Sequence, residues 1–482
     1  VTSSSTPRLA PQRVSDRRLA LISLVLALGM FITLLDTTIV NVALDHLRTT
    51  FDATVTQTQW IATGYLLAFV SVIPASGWLS ERFGARHAWL FAIVVFLVGS
   101  ALCAVATSLP QLTVFRVLQG IGGGLVMPVT MSMAMRAAGP ERIDRATVAV
   151  ALPGLLGPVL GSVLGGAIVE FWSWRWLFFV NVPVCLAALV LGWSLLPRTP
   201  RTPGHRFDAG GFALLTPGVV GIAYGISEAA GPGGFGAPEA WGPLTCGVGL
   251  LVAFTVWSLR APRTALIDVR VFTRRSFGVG SLITFMSGFS TYALAFLLPL
   301  YYQQVRDETV LRTGLLLIPT GLGTMCFFLG LRNLANRIQG RLVVAAGVAL
   351  TMLGTLPFAL VGTDGPGLWL LAGQFAQGLG FAATTFPVLT LAIAGLSFEQ
   401  APHGSAAFSV VQRVGAPFGV AVIAVVLQSL LDDAHTPTAG LDAFARTFWW
   451  TFGLAAVPLA LSILLPAGKN APGEDEHATA PH

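Results

Sequence analysis

The stretch LALISLVLALGMFITLLDTTIVNVAL, residues 19–44, decides the fold. It carries a single carboxylate, Asp36, and no basic residue. A helix needs about 20 mostly apolar residues to cross a bilayer, so this stretch reads as a membrane span. The polar segment before it holds Arg8, Arg13, Arg17 and Arg18. The apolar run is too long for a signal-peptide core and shows no cleavage site, so it reads as a retained first span.

Working outward, thirteen further spans are expected, at 58–80, 87–107, 110–135, 145–169, 174–196, 209–227, 240–259, 277–303, 312–330, 340–361, 367–396, 404–430 and 445–465. The seventh and eighth are short and joined by Gly231-Pro232-Gly233-Gly234. Composition agrees. Of 482 residues, 54% are hydrophobic and 10% charged, with a mean hydropathy of +0.75. A soluble domain carries roughly 25% charged residues, so lipid must be the main solvent. The four cysteines stand singly, without a CxxC pair, which suggests neither a metal site nor a disulfide framework. Net charge is +6, and 27 of the 28 basic residues are arginine. That bias points to a GC-rich bacterial genome. It does not point to nucleic acid, because no soluble basic domain carries it.

Basic residues concentrate on the cytoplasmic side of membrane proteins. With the N-terminus inside, 21 of the 28 fall in inner segments and five in outer ones: Arg48, Arg175, Arg306, Arg312 and Arg446. Two lie within spans, Arg116 and Arg413. A miscount of one helix would swap sides downstream and spoil this asymmetry, so both termini are expected in the cytoplasm. The inner loop Ser80-Glu81-Arg82-Phe83-Gly84-Ala85-Arg86 has an echo in Ala335-Asn336-Arg337-Ile338-Gln339-Gly340-Arg341. Each follows the second span of a six-helix half. The expected architecture is an all-α membrane protein: tail 1–18, six-helix bundle 19–196, linker with two extra helices 197–275, six-helix bundle 276–466 and tail 467–482. Two pseudo-symmetric halves of this kind enclose a site between them.

Five local patterns become specific together. They are Leu35-Asp36-Thr37-Thr38-Ile39-Val40-Asn41-Val42-Ala43-Leu44, the loop Gly77 to Arg86, Arg116-Val117-Leu118-Gln119-Gly120-Ile121-Gly122-Gly123-Gly124, Gly157-Pro158-Val159-Leu160-Gly161-Ser162-Val163-Leu164-Gly165-Gly166, and Ser173 to Pro183. In this order the chain resembles the fourteen-helix drug:proton antiporters of the major facilitator superfamily, the EmrB/QacA type. The resemblance extends through Leu298-Pro299-Leu300-Tyr301-Tyr302-Gln303, Gly314 to Pro319 and Gln412-Arg413-Val414-Gly415, and covers nearly all but the tails. Four positions depart from the pattern. Glu81 replaces an aspartate, Ala85 a basic residue and Asp45 a proline, and Asn336 is neutral where the inner-loop motif is acidic.

Asp36 is the one carboxylate expected deep in a span, and no histidine lies deep in one. A charge at the bilayer centre costs at least about 2.5 kcal/mol. Burial favours the neutral form of a carboxylic acid, which suits a group that must load and release protons. The plain alternative is that Asp36 fixes helix packing by bonding Thr37 and Asn41. The resemblance implies proton coupling at this aspartate. Arg116 is the matching cation, with Asp36, Gln119 or backbone carbonyls as candidate partners. Arg413 has no evident acidic partner and either lines a cavity or anchors packing.

Gly157, Gly161 and Gly165 recur every fourth residue, a face that lets another backbone approach, and Pro158 is expected to kink that helix. Ordinary close packing is the plain reading; the functional one is that this seam, with Gly166, seals the halves against proton leak, and the resemblance associates the motif with exchangers. By the same analogy Gly77, Glu81, Arg82, Gly84 and Arg86 form a cytoplasmic charge latch between the halves. Their plainer role is to set topology. Candidate cavity residues are Asn41, Trp60, Tyr65, Gln119, Phe285, Phe289, Tyr292, Gln374, Gln377, Phe381, Phe408 and Arg413. An apolar, aromatic cavity suits bulky hydrophobic or cationic compounds.

No Walker-type glycine-lysine loop is present, so ATP is not the direct energy source. The expected function is proton-driven efflux of amphipathic small molecules by alternating access. It would be carried out by a monomer in the inner membrane, with the proton gradient in place of a cofactor. Membrane lipid is the surrounding partner. A lipid exporter on the same fold is the alternative. A membrane-embedded enzyme is disfavoured, since no ligand-spaced His/Cys/Asp/Glu cluster or Ser/His/Asp set is evident. A receptor is disfavoured by the two-half repeat.

Overall fold

Backbone groups facing hydrocarbon must bond within their own segment, and the chain accordingly folds almost wholly into helices. The computed structural model describes residues 15–138, 143–197, 207–229, 236–260, 267, 269–335, 337–360, 367–393, 401–432 and 437–466. The loop 231–234, Asn336, and most of both tails and of the stretch 197–207 lie outside the described residues.

The first half comprises α1 (Asp16–Val42), α2 (Leu44–Thr50), α3 (Val55–Val72), α4 (Ala75–Phe83), α5 (Ala85–Ala104), α6 (Leu109–Ala138), α7 (Ile143–Phe171), α8 (Trp176–Phe179) and α9 (Asn181–Leu195). A hairpin of α10 (Ala209–Glu228) and α11 (Pro238–Arg260) follows. The second half comprises α12 (Arg275–Gln304), α13 (Val310–Leu316), α14 (Ile318–Cys326), a π-helical turn at Phe327–Leu331, α15 (Arg332–Ala335), α16 (Gly340–Leu360), α17 (Gly367–Ile393), α18 (Ala401–Asp432) and α19 (Pro437–Ser462). The end where α1 enters is called proximal below, and the end where it finishes is called distal.

Each expected span has a helical counterpart. Among the described residues, eleven segments are long and apolar enough to cross a membrane, or twelve if the bent pair α3–α4 counts as one. Two positions fall short by that measure: α7, whose apolar described portion is Leu156–Phe171, and α19, which opens on polar residues. The bend of 55° between α3 and α4 falls at Ile73-Pro74, where proline removes a backbone donor. By contrast, α7 runs as one helix through Pro158.

The loop expected at 80–86 is nearly absent. Glu81 and Arg82 belong to the last turn of α4, and Arg86 to the first turn of α5. Only Gly84 stays outside a helix, at φ 88°, a conformation that glycine adopts without strain.

The halves repeat each other in their pairings. In the first, α1 packs on α7, α5 on α6, and α3 on α6; in the second, α12 packs on α18, α16 on α17, and α14 on α17. Small residues make these approaches possible. Gly120 meets the Tyr65 carbonyl and Gly122 the Phe96 backbone nitrogen, so a Cβ at either would collide. In the second half Gly378 meets the Thr320 carbonyl and Gly380 that of Gly347. The segment Gln119-Gly120-Ile121-Gly122 thus returns as Gln377-Gly378-Leu379-Gly380, a second echo of the repeat.

Between the halves, α3 packs on α18 and α7 on α13. Apart from the contact of Arg413 with Met127, the hydrogen bonds that join the halves among described residues gather at the distal end. Gln303 Nε2 donates to the Val42 carbonyl (2.9 Å), Gln304 Nε2 to Asp45 Oδ1 (2.5 Å), Val55 N–H to Gln428 Oε1 (3.1 Å) and Leu311 N–H to Glu170 Oε2 (3.1 Å). Asp45, where the family pattern has proline, is therefore a tie between halves.

The α10–α11 hairpin packs outside both bundles, yet α10 touches α3 of one half and α18 of the other. Val219 and Ala223 share a cluster with Leu67, Trp60, Val414 and Phe418. Its polar anchor is on α3, where buried Gln59 Nε2 donates to Ser227 Oγ at 2.9 Å. An interhelical hydrogen bond in lipid contributes about 1 kcal/mol. Ser227→Ala is therefore expected to lower the thermal unfolding midpoint of the detergent-solubilised protein by a few degrees. An unchanged midpoint would show that apolar contact alone holds the hairpin.

Candidate functional site

The site grows from Asp36. The residue lies six positions before the end of α1 and twenty after its start, about 9 Å and 30 Å along the axis at 1.5 Å per residue. It therefore sits nearer the distal end of α1 than the proximal end. The side chain is fully buried. Its oxygens accept three donors from two other helices. Arg116 Nη1 on α6 donates to Oδ2 at 2.5 Å. Gln119 Nε2, one turn along α6, donates to Oδ1 at 2.8 Å, and Asn181 Nδ2 at the start of α9 donates to the same oxygen at 2.8 Å.

Arg116 is equally enclosed. Besides Asp36 it donates to Gln119 Oε1 (2.7 Å) and the Ile61 carbonyl (3.3 Å), and its guanidinium lies 4.0 Å from the centre of the Tyr65 ring. All the candidate partners read from the sequence are thus used together. Asp36 does not bond Thr37, whose hydroxyl donates to the Thr33 carbonyl. Asn181 also donates to Ser100 Oγ on α5, at 3.0 Å.

This arrangement can survive a change of protonation. A buried ion pair must recover the cost of losing water, and losing one partner leaves an uncompensated charge. Here Arg116 keeps an amide oxygen, a carbonyl and an aromatic face if Asp36 becomes neutral. Asn181 Oδ1 is buried without a partner. An amide can donate to a carboxylate or, turned over, accept from a carboxylic acid, so Asn181 can serve either state.

The α7 glycines build the wall behind Asp36. A Cβ on Gly161 would come within 2.5 Å of Thr38 Oγ1 and 2.8 Å of the Leu35 carbonyl, and one on Gly165 within 2.8 Å of the Ile39 carbonyl. Gly157 faces Leu35 N at 3.0 Å. The expected seam between halves is therefore a seam inside the first half, against α1. The contact across halves is made by the next helix face, where Gly166 meets Leu311 and Gly314 meets the Ser162 carbonyl.

Arg86 bonds the Trp193 carbonyl and lies 5.1 Å from that residue's ring, so its described contacts stay within the first half. A Cβ at Gly77 would meet open space.

The expected cavity set divides. Trp60 stacks on Tyr224 of the hairpin, with centroids 5.7 Å apart. Gln374 donates to Tyr302 Oη (2.7 Å) and Gln377 to the Gly354 carbonyl (3.0 Å), both inside the second half. Phe408 packs on Phe277 (6.3 Å) and Phe285 on Phe418 (6.0 Å). Asn41 and Phe289 are buried, while Phe381 and Tyr292 are partly exposed. Arg413 reaches across the seam, 4.7 Å from the Phe69 ring centre and in contact with Met127 Sδ.

Sequence reasoning missed Asn181 and Ser100. Asn181 was visible as the lone amide within the Ser173–Pro183 motif, whereas Ser100 carried no signal. Among the described residues no group of three His, Cys, Asp or Glu could hold a metal ion.

Two carboxylates in one buried site resist double ionisation. Asn181→Asp creates that situation beside Asp36, and raising the pH forces the second ionisation. The variant is expected to lose thermal stability relative to the parent between pH 5 and pH 8. A constant difference across that range would mean that residue 181 does not share the electrostatic environment of Asp36.

Comparison with known proteins agrees with this fold. The Major Facilitator Superfamily model matches residues 26–420. A "Multidrug resistance protein B homolog" of Mycobacterium tuberculosis is 34% identical over 432 residues, covering 89% of this chain and 80% of that protein. A "Putative multidrug resistance protein MdtD" of Serratia proteamaculans is 31% identical over 441 residues, covering 91% of each. Among solved structures, a D-xylose-proton symporter superposes with a TM-score of 0.67 at 16% identity, covering 94% of this chain and 99% of that one. A bacterial homologue of the human lysosomal transporter Spinster, inward-facing, gives 0.65 at 14% identity, covering 94% and 97%. At such identities these structures speak for the fold alone. The chain belongs to the major facilitator superfamily and is a multi-pass membrane transporter, not an enzyme.

Proposed function

We propose that the protein exports amphipathic small molecules in exchange for protons, with Asp36 as the proton carrier. One observation carries the reading: a carboxylate sealed within the first half, paired with Arg116 and bonded by two amides, of which Asn181 can turn over to suit either protonation state. The second half lacks a counterpart. The position that matches Arg116 in the glycine echo is Gln374, which is neutral and holds Tyr302 and Thr320. Proton chemistry is thereby assigned to one half, and the other serves as the moving partner. The names of the multidrug resistance relatives support the cargo class.

In this reading the chain crosses the inner membrane fourteen times as a monomer, with both termini and the proximal end in the cytoplasm. The distal ties through Asp45, Gln303, Gln428 and Glu170 must break when the protein opens outward. Protonation of Asp36 from outside releases Arg116 from its charge partner. Such a release can shift a two-state equilibrium only by the difference in interaction energy between the states, and a buried pair supplies a large one. No cofactor beyond the proton gradient is invoked.

Asp36→Asn keeps the shape and one accepting oxygen but cannot titrate. In inverted vesicles with matched expression, it should lose pH-gradient-driven uptake of a fluorescent amphiphile by tenfold or more while retaining downhill exchange. Undiminished proton-driven uptake by the variant would remove Asp36 from the coupling step.

A further inference from the structure

We infer that Arg413 sets the charge preference of the cargo path, so that neutral and anionic amphiphiles are accepted over organic cations. The inference rests on the export reading and names its substrate class. Arg413 stands on α18, twelve residues past its start, about 18 Å from the proximal end. It lies on the proximal side of the bonds that tie the halves together. Its side chain is partly exposed. A guanidinium has five N–H donors. The described contacts of Arg413 are the Phe69 face and the Met127 thioether, neither of which satisfies more than a weak bond. No described carboxylate pairs with it, in contrast to Arg116.

The surroundings share this bias. Met127, Met131 one turn nearer the proximal end, Val72, Tyr292 and Val414 are all partly exposed. Methionine and aromatic side chains make an adaptable apolar surface, and none of these residues carries negative charge. Asp36, the carboxylate deepest within the described helices, is fully buried and already paired. Among these described residues the approach to Arg413 from the proximal side is apolar and carries one fixed positive charge. A cleft of one sign concentrates ligands of the opposite sign, and the planar guanidinium fork fits a carboxylate or a phosphate.

Two aromatic faces that would otherwise attract an organic cation are taken. Tyr65 and Phe69 are four residues apart on α3, with ring centroids 5.9 Å apart. Arg116 covers the first and Arg413 the second. Cation–π attraction is thus spent on the protein's own arginines. A merely structural Arg413, clamping the halves through Phe69, would leave substrate charge without influence.

The test uses fluorescein and rhodamine 123, which share a xanthene ring system and differ in charge. Their binding to the purified protein in lipid nanodiscs is measured at pH 7.5, without a gradient, by fluorescence anisotropy. The parent should bind fluorescein at least tenfold more tightly than rhodamine 123. Arg413→Gln should cut that ratio tenfold or more, and Arg413→Lys should keep most of it. A parent that prefers rhodamine 123, or that binds neither probe, overturns the inference even if Arg413→Gln fails to fold. So does an unchanged ratio in a folded Arg413→Gln. Because no gradient is present, failure of proton coupling at Asp36 would leave this ratio intact, and the two results remain distinguishable.

Discussion

A carboxylate and a guanidinium withdrawn from water together, Asp36 on α1 and Arg116 on α6, set the terms for the first half. Either charge is costly to bury without its partner. The pair requires helices close enough to leave no room for water, and the sequence supplies that closeness with glycine. Gly161 and Gly165 bring α7 against the backbone of α1, and Gly120 and Gly122 bring α6 against α3 and α5. The remaining valences are filled by Gln119 and Asn181 on the carboxylate and by the Ile61 carbonyl and the Tyr65 face on the guanidinium. Packing and charge are thus one arrangement, since a looser helix seam would admit water and weaken the pair.

The second half keeps the packing and drops the charge. Gln377-Gly378-Leu379-Gly380 repeats the helix approach of Gln119-Gly120-Ile121-Gly122, but Gln374 stands where Arg116 would be. Its amide joins Tyr302 and Thr320 in a neutral network. In the proposed reading the first half carries the proton chemistry and the second half moves against it. The sole described arginine that crosses from the second half into the first within the spans is Arg413. It rests on Phe69, which neighbours the Tyr65 ring beneath Arg116.

Much of this was legible in the sequence, because lipid forces a simple code. Long apolar runs gave the helices, and the solitary Asp36 and Arg116 stood out because charge within lipid is costly. What remained hidden depended on which helix faces meet. Periodicity put Gly157, Gly161 and Gly165 on one face, yet it could not say that the face turns toward α1 instead of the other half. Gln374 and Gln377 looked like cavity residues because polar side chains in spans need partners. Their partners, Tyr302 and the Gly354 carbonyl, come from helices distant in sequence. Residues 80–86 read as a loop because charged residues cluster there, but such residues also finish helices at a membrane surface, and only Gly84 leaves the helix. Asp45 read as a departure from the pattern. Its bond to Gln304, 259 residues away, had no local signature.

The central claim is that Asp36 binds and releases a proton within this sealed network. Infrared difference spectroscopy tests it most directly, by comparing the parent with Asp36→Asn in lipid as the pH is varied over the range in which a gradient drives transport. The account predicts a protonated-carboxyl C=O stretch that grows as the pH falls in the parent and is missing from the variant. A carboxyl band identical in the two proteins, or none arising from residue 36 at any pH in that range, would contradict it.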